Sequence, residues 1–274
     1  MLDEGLVTQL AAQLHAAEQQ RIQIEQLSKR FPAMTVEDGY RISRAWSALK
    51  RQQGRSVRGH KIGLTSRAMQ QSAQITEPDY GTLFDDMFYQ EGADVPFERF
   101  IMPKVEVELA FVLDRPLKGP GVSIFDVLAA ADYVVPAIEI IDTRIQPVDP
   151  VTGSTRRIQD TIADNAAGAA VVVGGRPVRP DAIDLRWVGV ILSKNGVIEE
   201  TGLAAGVLNH PANGVAWLAN KLSPWDEQLE IGEIVLGGSF TRPVVAAPGD
   251  VFHADYGSLG SISFRFTYTE LQSI

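Results

Sequence analysis

The stretch Lys104-Val-Glu-Val-Glu-Leu-Ala-Phe-Val-Leu113 decides how this chain reads. Apolar and acidic residues alternate strictly at its start, which is the period of a strand. A strand projects Glu106 and Glu108 from one face and packs Val105, Val107 and Leu109 behind them. A helix would send the two acids to nearly opposite sides, and the branched residues also favour the strand. A third acid, Glu139, stands in Val134-Val-Pro-Ala-Ile-Glu-Ile-Ile141, an apolar setting where an unpaired carboxylate is expensive to bury. Three acids converging on one point raise each other's proton affinity unless a hard cation neutralises them. An all-oxygen set suits Mg²⁺, with Mn²⁺ as a substitute, and leaves positions for water and two oxygens of a bidentate ligand. Spacing alone leaves a second reading open, in which Glu106 and Glu108 line a solvated sheet face and Glu139 pairs with an arginine.

Upstream of this stretch the pattern is helical. Leu6, Leu10, Leu14 and Ala17 recur at helical spacing, and Thr35-Val-Glu-Asp38 has the form of a capping box opening a helix through Tyr40, Ile42, Trp46 and Leu49. Glycines then interrupt Val57-Arg-Gly-His-Lys-Ile-Gly-Leu64, which reads as a short strand and a turn, and Ser66 can cap a short helix to Ala73. Beyond Pro78 short β runs and glycine turns dominate. Tyr133 to Ile141 and Ala169 to Val173 read as buried strands, and Lys194-Asn-Gly196 reads as a hairpin turn. Ile124 to Ala131 and Pro211 to Leu222 read as helices. The reading is α+β: a helical region over residues 1–75 and a mixed, mainly β catalytic region over residues 76–274, forming one integrated unit.

Composition narrows the function. With 274 residues, 45% of them apolar, the chain can bury a substantial core. Lys and Arg total 25 against 34 Asp and Glu, a formal charge of -9, so no nucleic-acid partner is expected. No segment supplies the run of apolar residues that a membrane span needs, and the first twenty residues lack the apolar core of a leader, so a cytoplasmic protein is expected. The absence of cysteine removes thiolate ligands and nucleophiles, leaving oxygen or imidazole for any metal.

Gly59-His-Lys-Ile-Gly-Leu-Thr65, Glu77-Pro-Asp-Tyr-Gly81, the Glu106/Glu108 pair, Pro136-Ala-Ile-Glu139 and Asp160-Thr-Ile-Ala-Asp-Asn165 together resemble the 2-oxo-4-enoate hydratase and decarboxylase group of the fumarylacetoacetate hydrolase superfamily. The likeness covers nearly the whole chain. It implies a mixed, mainly β barrel with an N-terminal helical region, a homo-oligomer built from dimers, and a metal on Glu106, Glu108 and Glu139. It further implies that Lys61 binds or protonates the enol or carboxylate region of a 2-oxo acid, and that Leu64 contacts the substrate.

Asp79, after Pro78, reads as part of a rigid turn that aims its carboxylate at Lys61, making Lys61 and Asp79 the expected acid-base pair; a purely structural Asx turn stays open. Strand alternation puts His60 opposite Lys61. Asp164 and Asn165 precede a run of small residues and are expected near the substrate. Gly237-Gly238-Ser239-Phe240-Thr241 offers backbone amides and hydroxyls to a carboxylate or carbonyl oxygen, with Gly238, Ser239 and Thr241 as candidate contacts; a plain β turn stays open.

The implied chemistry is isomerisation and hydration of 2-oxohept-4-ene-1,7-dioate to 4-hydroxy-2-oxoheptane-1,7-dioate. Alternatives are decarboxylation of a 2-oxo-3-enedioate, hydration of the C5 monoacid 2-oxopent-4-enoate, acylpyruvate hydrolysis, or a non-enzymatic assembly module. A diacid needs a remote donor, for which Arg67, Arg144 and Arg157 are candidates.

Overall fold

The computed structural model describes residues 1–73 and 75–268, with residues 72 and 73 described by their backbone alone. Its helices are α1 (Glu4–Gln20), α2 (Leu27–Arg30), α3 (Val36–Gln52), α4 (Arg67–Ala73), α5 (Ile124–Ala130), α6 (Ile158–Ala163) and α7 (Ala212–Leu222). Its strands are β1 (Val57–Gly63), β2 (Asp79–Phe84), β3 (Phe88–Gln90), β4 (Asp94–Pro96), β5 (Lys104–Leu113), β6 (Ala131–Ile141), β7 (Gly168–Val173), β8 (Gly189–Lys194), β9 (Val197–Leu203), β10 (Ile234–Leu236), β11 (Val244–Val245), β12 (Val251–Asp255) and β13 (Ser261–Thr267).

Most of the helical spacing read in the sequence is buried, with Leu6 and Leu49 only half-buried and Val7 joining the interior. Val7, Leu10, Leu14 and Ala17 of α1 lie in the interior, and so do Tyr40, Ile42 and Trp46 of α3. Thr35 and Asp38 form the reciprocal capping box, satisfying two backbone donors that a helix start leaves unpaired. Asn195 and Gly196 both take positive φ (53° and 79°), the geometry that lets a two-residue turn join β8 to β9. No helix is long and apolar enough to cross a membrane, among the described residues.

The larger sheet runs β2-β1-β10-β5-β6-β7-β3, with β11 pairing the far end of β5, and the smaller runs β4-β13-β12-β8-β9. One face of the large sheet, carrying Ala110, Ala137, Val171 and Leu236, packs against Leu10, Leu14, Ile42 and Trp46 of the N-terminal helices. The other carries Val105, Val107, Leu109 and Phe111 into the main core.

Both sheets are open paths among the described residues, so the architecture is mixed α/β with open sheets, and the closed barrel is not seen as a backbone ladder. The edge of β2 is met by a side chain instead. Asn165 accepts from Thr82 N at 2.7 Å and donates to Thr82 O at 3.0 Å, standing in for a neighbouring strand just before β7.

Candidate metal centre and active-site cleft

Strand register brings the acids together. Glu106 and Glu139 are direct cross-strand neighbours on β5 and β6, and Glu108 follows two residues along the same face. One carboxylate oxygen from each lies within 4.8 Å of the others. Beyond Leu236 the regular ladder with β5 stops until Val244, and the loop 237–243 stays on β5 through Gly237 N donating to Leu109 O at 3.0 Å and Phe240 N to Val107 O at 3.3 Å. Residues 239–243 of that loop line the cleft together with the three acids.

Glu108 and Glu139 are 1% and 0% exposed, and neither oxygen of Glu139 has a hydrogen-bond partner. The compensating charge is the Lys61 ammonium, 3.3 Å from Glu139 Oε1 and donating to Ala166 O at 2.9 Å. A pair of like charges this close repels by about 3 kcal/mol at an effective dielectric of about 20. Burial first, and then the charge of Glu139, pushes the Glu106 carboxyl up to about 8 and drives Glu108 in the same direction. Burial also raises Glu139, against the opposing pull of Lys61. For Lys61, burial works downward, but Glu139, Asp79, Glu108 and Glu106 outweigh it and hold the ammonium above its ordinary range.

Three acids with one cation and a single backbone donor, the Gly238 amide on Glu108, leave an excess of negative charge. Oxygens on one Mg²⁺ at about 2.1 Å sit about 3 to 4 Å apart, so a cluster within 4.8 Å fits a small divalent cation after slight closure. The solvated-face reading fails because Glu108 is buried and Glu106 is half-buried. Glu139 pairs with a lysine and not with an arginine.

Asp79 differs from the expected turn: it opens β2, opposite Gly63 of β1. The Pro-Asp-Tyr-Gly composition suggested a turn, but pairing with β1 overrides it. Its carboxylate still reaches the centre. A Cβ on Gly63 would lie 2.3 Å from Asp79 Oδ1 and 3.3 Å from Lys61 Nζ, so only glycine lets the two approach. Asp79 Oδ1 is buried without a partner, and burial raises its carboxyl against the opposing charges of Lys61 and Arg156. His60 points the other way, 3.2 Å from Glu233.

Of the remaining candidates, Leu64 lines the cleft with its backbone held at φ 55°. Ser239 and Thr241 line it too, with Thr241 Oγ1 buried and unpartnered. Gly238 is a correction: its amide donates to Glu108 Oε2 at 2.8 Å, so it orients a carboxylate of the acid cluster and is not free for substrate. Its φ of 122° and a Thr65 side chain 2.4 Å from any added Cβ exclude other residues there.

Asp164 and Asn165 are corrections of the same kind. Asp164 is held by Arg144 through its Nε and backbone N, and Asn165 is spent on Thr82. Asn165, Ala166 and Ala167 all take positive φ, a strained run that aims Ala166 O at Lys61. Arg144 is buried on Asp164, Arg67 is exposed, and Arg157 lines the cleft. Sequence reasoning missed Arg156, half-buried in the cleft wall; its only signal was a pair of arginines before α6.

Residues 51–267 match the family model described as fumarylacetoacetate (FAA) hydrolase C-terminal. The chain is 60% identical over 266 residues to a 2-oxo-hept-4-ene-1,7-dioate hydratase of Escherichia coli, covering 97% of this chain and 100% of that protein. It is 38% identical to a 2-hydroxyhexa-2,4-dienoate hydratase of Comamonas testosteroni, covering 97% and 100%. A solved 4-oxalocrotonate decarboxylase from Pseudomonas putida G7, complexed with magnesium and adipate, superposes with a TM-score of 0.92 at 36% identity, covering 97% and 99%. Family model, full-length relatives and superposed fold agree with one another, and the chain belongs to the fumarylacetoacetate hydrolase family.

Proposed function

We propose that this protein is a metal-dependent hydro-lyase that isomerises and hydrates 2-oxohept-4-ene-1,7-dioate to 4-hydroxy-2-oxoheptane-1,7-dioate, as a step in aromatic (homoprotocatechuate) catabolism. The observation that carries it is Glu139, buried against two further acids with Lys61 as its one ion-pair partner among the described residues, in a chain 60% identical over 266 residues to a hydratase of that substrate. Glu106, Glu108 and Glu139 would hold Mg²⁺, or Mn²⁺ in its place. When bound, the ion supplies neutralising charge and polarises the neighbouring oxygens of a 2-oxo acid.

The chain's own residues supply the rest. The Lys61 ammonium, fixed by Ala166 O and Glu139, stabilises charge developing on the 2-oxo oxygen. Asp79 Oδ1, unpartnered and inclined to hold a proton, takes one from C3 and returns it at C5, moving the double bond into conjugation. Water then adds its hydroxyl at C4 and its proton at C3. Leu64, Met69 and Phe240 keep bulk water from the reacting carbons, and Ser239 and Thr241 face them. We also propose a homo-oligomer built from dimers, for which Trp187, Ile191 and Ile198 offer exposed apolar contacts.

Decarboxylation is the second reading, favoured by the close superposition on a decarboxylase. Mass spectrometry of the product formed from the C7 diacid with Mg²⁺ separates them. A product heavier by one water supports hydration, and exclusive carbon dioxide release reverses the assignment.

A further inference from the structure

The cleft has two lobes that meet at Lys61, Gly63, Leu64, Met69 and Glu106. The first, about 410 Å³, runs between α4 and the loop 237–243; the second, about 800 Å³, runs toward the start of α6. Apart from the shared centre, the charges of the two lobes differ. In the first, Arg242 is spent on Glu200 at 2.8 Å, its side chain is 85% exposed, and Glu200 itself repels an incoming carboxylate. In the second stand two arginines, Arg156 and Arg157, against one acid, Asp79, which is held beside Lys61; only 15% of the Arg156 side chain is exposed.

Arg156 has no carboxylate to itself. Its nearest acid, Asp164, lies 3.4 Å from Nη1 and is already bound by Arg144, so one carboxylate serves two guanidiniums. Nε and Nη2 of Arg156 donate to no acceptor among the described residues. A half-buried guanidinium with free donors facing a cavity is a carboxylate receptor in want of a carboxylate. Its position is fixed: Arg156 N donates to Pro147 O at 2.9 Å, and the following turn is pinned where Arg157 N and Ser28 both donate to Asp160.

We infer that Arg156 grips the remote carboxylate of a diacid substrate, so that the chain of the bound 2-oxo acid runs into the α6 lobe and away from Glu200. This rests on the reading of the site as a 2-oxo acid centre. It selects a residue outside the three arginines that the sequence suggested, and makes Arg156 the residue that separates diacid from monoacid.

The test uses 2-oxoheptane-1,7-dioate and 2-oxoheptanoate, which lack the reacting double bond and differ only at the far end, as inhibitors of the Mg²⁺-loaded enzyme. Wild type is expected to bind the diacid about 100-fold more tightly, the range for charge-assisted hydrogen bonds. Arg156→Gln should collapse that ratio to within about 3-fold, weakening the diacid far more than the monoacid, and Arg156→Lys should restore part of it. Arg157→Gln and Arg242→Gln should keep most of it. Retention of the ratio in Arg156→Gln, or its collapse in Arg242→Gln, overturns the inference. If Arg156→Gln does not fold, the ratios of wild type, Arg156→Lys and Arg242→Gln decide, since an unchanged ratio in Arg156→Lys with a lost one in Arg242→Gln places the receptor in the other lobe. Equal binding of both analogues by wild type sinks this inference alone, whereas absence of turnover and of binding by either analogue sinks the proposed function.

Discussion

Both oxygens of Asp164 are met by protein donors, from Arg144, Ile145 and Arg156, whereas Glu139, equally buried, meets only the Lys61 ammonium, 3.3 Å from one of its oxygens, among the described residues. Asp160 belongs with Asp164: Ser28 N, Ser28 Oγ and Arg157 N meet its carboxylate. The difference separates two uses of a buried acid. Where donors surround the carboxylate, it ties loops and helices together; where other carboxylates surround it, the protein has left a charge for something outside the chain to neutralise. Arg156 stands between the two groups, too distant from Asp164 to be fully used and open to the cleft.

The contrast breaks if the two groups respond alike to mutation. Glu108→Gln, which can still accept from Gly238 N, should lower metal-dependent turnover at least about 10³-fold, equivalent to about 4 kcal/mol, while raising the melting temperature of the metal-free protein. Asp164→Ala should do the reverse, removing about 3 to 5 kcal/mol of stability, because Arg144 is left buried without its partner. Denaturant unfolding of both metal-free variants checks this; a destabilised Glu108→Gln would mean that the acid cluster is scaffolding too.

A pH series sharpens it. The Glu106 carboxyl rises from its usual 4.5 to about 8 in the fold, so between those values the native state holds protons that the unfolded chain has released. Stability of the metal-free protein should therefore fall as pH rises through that window. Added Mg²⁺ should reverse the slope, since binding needs the ionised carboxylates. Calorimetry at pH 5 and pH 8 with and without Mg²⁺ tests both signs, and a metal-free melting temperature that climbs over this range contradicts the cluster. The smallest effect lies outside both groups. Thr35→Ala should cost about 1 kcal/mol by removing the cap of α3 and leave metal affinity unchanged.

Where the sequence was legible, the cause of structure was local. The capping box at Thr35, the turn at Asn195-Gly196 and the alternation of β5 each act within a few residues, and each stands as read. Asp79 was misread because Pro78 and Gly81 suggest a turn, while the partner that makes it a strand, β1, is set by pairing. Asp164 and Asn165 were assigned to substrate because nothing near them in the sequence shows that Arg144 and Thr82 consume them. Gly238 was read as a free amide for the same reason.

By itself the sequence determined that Glu106 and Glu108 share a face, since a strand turns alternate side chains the same way whatever surrounds it. The register of β5 against β6 set Glu139 opposite Glu106, and the pairing of β1 with β2 and β10 brought Lys61 and Asp79 to them. Those were decisions of the tertiary structure. They depend on contacts between segments far apart in the chain, where side chains compete for partners that no local pattern records, and the same competition left Arg156 with donors to spare.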